Sequence, residues 1–350
     1  MVHWPETAPM LDFSASIDLP MVWFVIIAVA MFLYVLLDGF DLGIGILFPL
    51  APSDDCRDRM MNSIAPFWDG NETWLVLGGG GLLAAFPLAY AVLLPAFYVP
   101  IIVMLLGLIM RGVAFEFRFK ARSARSRLLW DRVFHFGSLG AAVSQGIILG
   151  ALLSGVEVSG RDFSGGPLDW VNAFSLMTGV AVVFGYALLG ATWLVMKTDA
   201  RTQVWARQVA IYALLFVAVF LALVSVATVM VNSTITEFWF SRPNIWYLLP
   251  IPLLSALVVL ACWRDLHRQQ AEYRPFLLAI AIFALAYLGL GISLYPWIVP
   301  YQFSIHEAAA TGPSLSLMLL GVVPLLPLIL AYTGYSYYVF RGKSSSQHGY

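Results

Sequence analysis

Charge is scarce in this 350-residue chain. Only 11% of its residues are Asp, Glu, Lys or Arg, against roughly 25% in an ordinary water-soluble domain. That shortage excludes a soluble α/β enzyme, which needs a charged surface. It also excludes a disordered chain, which is polar and poor in apolar residues. The net charge of −1 leaves no basic face for nucleic acid phosphates. Two cysteines cannot build a disulfide scaffold. Histidine is also rare. Of His3, His135, His267, His306 and His348, only His135 falls in a long apolar run, near its edge. A haem clasped by two histidines between spans therefore has no obvious ligand pair here. No Lys or Arg precedes the first apolar run, whereas Glu6, Asp12 and Asp18 do, which argues against a cleavable signal.

What the chain has in abundance is apolar surface. Hydrophobic residues make up 61%, and the mean hydropathy is +0.84. A helix crossing a bilayer needs about 20 mainly apolar residues. Nine stretches qualify: 21–41, 74–95, 96–117, 133–155, 170–196, 208–232, 246–263, 276–298 and 315–340. Their runs are continuous rather than alternating, which excludes a membrane β-barrel. The predicted fold is therefore all-α, a single polytopic membrane domain over 1–340 with nine transmembrane helices. The polar tail 341–350 follows, and its last nine residues are expected to be disordered.

Sixteen of the 19 basic residues fall between spans one and two, three and four, five and six, seven and eight, or after nine. The positive-inside rule then predicts a periplasmic N-terminus and a cytoplasmic C-terminus. The same bias argues that 74–117 crosses twice, with a tight external turn near Pro95. Cys56 and Cys262 fall at cytoplasmic ends, where thiols stay reduced.

Ionisable groups inside a membrane are expensive, so they carry information. Here they cluster. Asp38 and Asp41 lie three apart at the end of span one, on one helix face. Asp69, Asn71 and Glu72 open span two. Arg111 and Glu116 lie in span three. Antiparallel packing with short loops would bring these ends together. The carboxylates could then relay protons past Arg111, a fixed positive charge. Other readings stay open. Asp69 or Asn71 can cap a helix, Asp38 and Asp41 can reach water, and Arg111 can snorkel. The cluster can also be a structural ion network, with Arg111 and Glu72 as its members. Gly78–Gly81 is not followed by a Lys-Ser or Lys-Thr pair, so it reads as helix packing rather than a phosphate loop. Gln145–Gly146 suits a hydrogen bond between helices. Trp23, Trp74, Trp170, Trp246 and Trp297 fall near span ends, as interface residues do. Tyr295–Pro300 is expected to cover the outer surface or a partner.

Several long runs carry a resemblance. DGFDLGIG at 38–45, NSIAPFWDGNETWLV at 62–76 and FYVPIIVMLLGLIMRGVAFEFR at 97–118 resemble subunit II of the cytochrome bd-type quinol oxidases. So do SQGIILG at 144–150, YPWIVP at 295–300 and YYVFRGK at 337–343. The chain looks close to the cyanide-insensitive branch. The resemblance implies a nine-helix subunit paired with a subunit I of similar fold. That partner would ligate two haems b and haem d, oxidise quinol and reduce dioxygen to water. It further implies that Asp38, Asp41, Asp69 and Glu116 form a proton route from the cytoplasm, with Arg111 as the intramembrane base. Glu116 stands where many relatives have Asp, one methylene shorter. A bound quinone, small accessory subunits and dimers of the complex are compatible with the family. Two competing expectations are a proton-coupled secondary transporter and a purely structural partner. The acidic motif has no clear inverted repeat in the second half, which counts against the transporter.

Overall fold

The computed structural model describes residues 17–231 and 233–344. His3, Glu6, Asp12, His348 and the tail beyond 344 lie outside the described residues, and with them most of the signal and disordered-tail expectations.

Helix α1 (Leu19–Leu47) begins where the Asp18 carboxylate accepts the Met21 amide at 3.2 Å. Such a cap satisfies one of the amide groups that a helix start leaves free. A short polar helix α2 (Asp54–Ile64), capped by Ser53, follows. Then come α3 (Trp68–Ala85), α4 (Pro87–Ala96), α5 (Tyr98–Lys120) and α6 (Ala124–Ser154). A hairpin of β1 (Val158–Ser159) and β2 (Asp162–Phe163) leads to α7 (Ala173–Lys197) and α8 (Ala200–Val231). The chain continues through α9 (Ser233–Phe240), α10 (Asn244–Leu248), α11 (Pro250–Leu266) and α12 (Arg274–Leu294). It ends with the hairpin β3 (Trp297–Val299) and β4 (Phe303–Ser304), α13 (Ile305–Ala308) and α14 (Gly312–Val339).

Among the described residues, eight helices are long and apolar enough to cross a membrane, and the α3–α4 pair raises this to nine. The all-α polytopic expectation holds. The second span differs from its prediction, however. It starts six residues earlier, at Trp68, and turns by 120° at Phe86. Proline disfavours helical backbone in the residue before it and lacks an amide hydrogen. Pro87 therefore ends α3 at Ala85. Pro95 sits inside α4 near its end, and Phe97 separates that helix from α5.

Close helix approach organises the centre. A methyl group on Gly43 would lie 1.8 Å from the Tyr186 carbonyl oxygen, and one on Gly190 would lie 2.6 Å from the Gly43 carbonyl carbon. Only hydrogen fits at that α1–α7 crossing. Of the four consecutive glycines in α3, Gly78 and Gly81 pack on Met31 and Ile27, while Gly79 and Gly80 face open space. Below the crossing, Phe40 stacks on Trp193 at 4.2 Å, and Phe276 meets both rings edge-on.

The two ends of the bundle differ. At the basic end, Lys197 donates to the carbonyls of Phe340 and, at 2.8 Å, Gly342. Lys343 reaches Thr198 O at 2.9 Å and Glu272 at 2.8 Å. These bonds pin the end of α14. Hydrogen bonds from Lys343 and Gln203 hold the Glu272 carboxyl below the usual carboxylate range. Cys56 and Cys262, both buried free thiols, lie in α2 and α11. At the opposite end, Trp23 Nε1 donates to Leu315 O at 3.0 Å, and the Tyr301 hydroxyl donates to Leu153 O at 3.2 Å.

Candidate functional site

Asp38 and Asp41 lie one turn apart near the basic end of α1, and both side chains are fully buried. Their common face meets three other helices. From α5, Arg111 donates through Nη2 to Asp38 Oδ1. The same nitrogen lies 3.0 Å from Glu72 Oε1 on α3. The guanidinium sits over the Trp68 ring at 5.7 Å. Arg111 is itself fully buried, so it does not snorkel. It is a buried cation held between two carboxylates, where charge pairs are less screened than at the surface.

Asp41 is served differently. Asn71 Nδ2 donates to Asp41 Oδ2 at 2.7 Å and to Leu37 O at 3.2 Å. The Tyr337 hydroxyl on α14 donates to Asn71 Oδ1 at 3.0 Å. Asn71 is thus a buried bridge and not a helix cap. The N-cap of α3 is Phe67, with no side-chain cap bond. Asp69 does not cap it either.

Asp69 sits in the first turn of α3 with an exposed side chain, outside the buried cluster but next to Glu72. Glu72 is the link, since its side chain is 30% exposed while touching Arg111. Glu116 does not join the cluster. Five residues after Arg111, it lies roughly 140° around the helix. It points outward and pairs loosely with Lys120 at 3.8 Å. Both line a hollow of about 200 Å³ at the basic end, together with Ala65, Trp68, Phe115 and Phe119. The expected convergence of acids beside Arg111 therefore holds for Asp38, Asp41 and Glu72. It fails for Glu116, because helical periodicity turns that side chain away, and Asp69 stands at the rim.

Two buried tyrosines and a half-buried glutamine extend the cluster inward. Gln145 Nε2 donates to the Tyr34 hydroxyl at 2.8 Å, and the Tyr186 hydroxyl donates to Gln145 Oε1 at 2.5 Å. Tyr34, one turn before Asp38, interacts with it. The spacing of Tyr34 and Asp38 was a signal, but a tyrosine in an apolar helix reads first as packing.

A second ion network lies nearer the basic surface. Arg118, seven residues beyond Arg111 on the same face, is fully buried and donates to Asp58 at 2.7 Å and Asp131 at 2.5 Å. Arg127 also donates to Asp58. Burial opposes ionisation of Asp58, but the hydrogen bonds from Arg127 and Arg118 outweigh it and hold the carboxyl below the usual range.

The described histidines do not fit a haem site. His135 Nδ1 lies 3.1 Å from Gly45 O, His267 Nδ1 lies 2.8 Å from Trp263 O, and His306 pairs with Asp18. They sit on different elements with their own partners, and among the described residues no group of three His, Cys, Asp or Glu could hold a metal ion.

Comparison with known proteins places this architecture. The family model for cytochrome bd terminal oxidase subunit II matches residues 19–340. Cytochrome bd-I ubiquinol oxidase subunit 2 of Escherichia coli (strain K12) is 29% identical over 373 residues, with 97% of each chain covered. Cytochrome bd ubiquinol oxidase subunit 2 of Bacillus subtilis (strain 168) is 30% identical over 333 residues, covering 92% of this chain and 96% of the relative. A chain of the bd oxidase from Geobacillus thermodenitrificans shares the fold with a TM-score of 0.67. It is 18% identical, with 92% of this chain and 99% of that one covered.

Proposed function

Because the chain belongs to the cytochrome bd terminal oxidase subunit II family, we propose that it conducts protons to, and structurally supports, the oxygen-reducing subunit of its complex. The chain is a multi-pass protein of the bacterial inner membrane and part of a respiratory quinol oxidase, an oxidoreductase complex. A subunit II implies a partner subunit I, and the family implies haem carried by the complex. In our reading, subunit I ligates haems b and d, oxidises the quinol and reduces dioxygen to water. The histidine placement in this chain is consistent with that division. The haems supply the electron transfer, and no step of it is assigned to residues of this chain.

The observation that carries the proposal is the buried Asp38–Arg111 pair, with the part-exposed Glu72 on the same guanidinium and Asp69 at the exposed rim. We take the basic end as cytoplasmic, following the positive-inside rule. Protons from the cytoplasm are collected at Asp69 and Glu72, with Glu116 at the mouth of the neighbouring hollow. Carboxylates pass protons, and Arg111 does not, since a guanidinium stays protonated. Asp38 and Asp41, on one buried face of α1 beside it, are the next acids to receive protons from Glu72. Asn71, held by Tyr337, keeps Asp41 turned toward this group.

Purification from the native membrane tests the assignment. The tagged chain should bring down a haem-bearing subunit and consume oxygen with quinol. A haem-free chain catalysing proton-linked solute uptake would instead establish a transporter. For the proton role, Asp69→Asn should slow oxygen consumption at neutral pH with haem content intact. Unchanged turnover in the assembled variant would remove Asp69 from the route.

A further inference from the structure

Resting on the proton reading of the acid cluster, we propose that Gln145 is a positioning residue that aims the Tyr34 hydroxyl proton at Asp38 and closes the route at that end. The glutamine belongs to the SQG run at 144–146, which the reading above leaves unused. It stands between two phenols, each only 1% exposed. A phenol has one proton to donate. The Tyr34 oxygen receives the Gln145 amide hydrogen, so its own proton is free to point elsewhere. One turn along α1 lies Asp38, whose Oδ1 is taken by Arg111 and whose Oδ2 is buried without a hydrogen-bond partner. We assign to that second oxygen the proton of the Tyr34 hydroxyl, which interacts with the Asp38 carboxyl.

The other side of Gln145 sets the limit. Its Oε1 accepts from Tyr186, so both hydrogen bonds of the run Tyr186–Gln145–Tyr34 point toward Tyr34, and we take the Tyr34 proton to continue toward Asp38. A carboxylate or a water accepts a proton on one side and releases one on the other. An amide does not, because its nitrogen releases a proton too reluctantly to act within a turnover. Tyr186 is therefore a dead end for protons, and traffic through the acids turns at Asp38. The run solvates the Asp38 carboxylate without offering it an outlet. Asp38 is faced by Asp41 on its own helix, Glu72 from α3, Arg111 from α5, Tyr186 from α7 and Tyr337 from α14. Gln145 touches Tyr34 and, among these partners, Tyr186, so the comparison with Tyr34→Phe decides which of the two phenols carries its effect.

The test uses the assembled complex, with haem spectrum and subunit gel as controls. The readout is the pH profile of quinol-driven oxygen consumption. Gln145→Met keeps the volume and removes the amide. Freed from it, the Tyr34 hydroxyl no longer points steadily at Asp38, and the carboxylate loses a charge-assisted hydrogen bond. Weaker solvation favours the protonated acid, so the acid limb of the profile should move to higher pH by about one unit. Tyr34→Phe should give the same shift, and the double variant no more than either alone. Further movement when Gln145→Met is added to Tyr34→Phe would overturn the proposal, because Gln145 would then act independently of Tyr34. So would unshifted profiles for both single variants while Asp38→Asn alters the profile. A wild-type rate and profile for Asp38→Asn would sink the proton reading itself, and this inference with it. Should Gln145→Met not assemble, Gln145→Asn retracts the amide by one methylene and supports the same comparison.

Discussion

Arg111→Leu removes the one guanidinium that touches both Asp38 and Glu72. Its side chain is fully buried, as is that of Asp38. Breaking a buried ion pair from one side costs about 3–5 kcal/mol, because the remaining charge has no compensation. The second acid one turn away, Asp41, adds repulsion rather than relief. At roughly 2 °C per kcal/mol for a large chain, the complex should lose on the order of 5–10 °C in thermal stability. The same reasoning sets the control. Replacing both partners of a buried pair is far cheaper than replacing one, so adding Asp38→Asn to Arg111→Leu should recover most of the loss. Thermal inactivation of the solubilised complex, followed by haem spectrum and subunit gel, measures both. Two results would refute the reasoning: a single variant as stable as the parent, or a double variant no better than the single.

Three other outcomes follow from the geometry. Gly43→Ala places a methyl group 1.8 Å from the Tyr186 carbonyl oxygen, an overpacking error worth about 1–3 kcal/mol or more; the yield of assembled complex should fall. Gly79→Ala meets nothing within 4 Å in this chain and should leave the chain's own folding unchanged, which limited proteolysis of the isolated membranes checks. Asp58 has a lowered carboxyl pKa, so its stabilisation is present above the unfolded value of about 3.9 and is lost as pH falls through the lower folded value. Thermal stability measured from pH 6 downward should therefore drop below about pH 4, and Asp58→Asn should lower stability at neutral pH and flatten that drop.

The apolar runs made the bilayer fold legible, since length and hydropathy are properties of local sequence. The bend at Phe86 was less visible, because hydropathy does not report direction; Pro87 was the available cue. For the site, the three-residue spacing of Asp38 and Asp41 correctly placed them on one face. The five-residue spacing of Arg111 and Glu116 contained the opposite answer, and shared location in one span obscured it. Arg118 looked like a loop charge, yet its seven-residue offset from Arg111 puts it on the same buried face. Asn71 resembled a cap because caps are where asparagine is common. Its real partners, Asp41 and Tyr337, come from helices 30 and 266 residues away in the chain. Long-range pairings of this kind follow from how helices pack, and a single sequence does not display them.

The most direct test of proton conduction is time-resolved proton uptake during oxygen reduction by the assembled complex in vesicles, comparing the parent with Asp41→Asn. Asparagine keeps the shape and can still accept the Asn71 amide hydrogen, while it can no longer carry a proton. The expected result is proton uptake and oxygen consumption slowed together, with haem content unchanged. Uptake at the parental rate in the fully assembled variant would contradict a route through these buried acids.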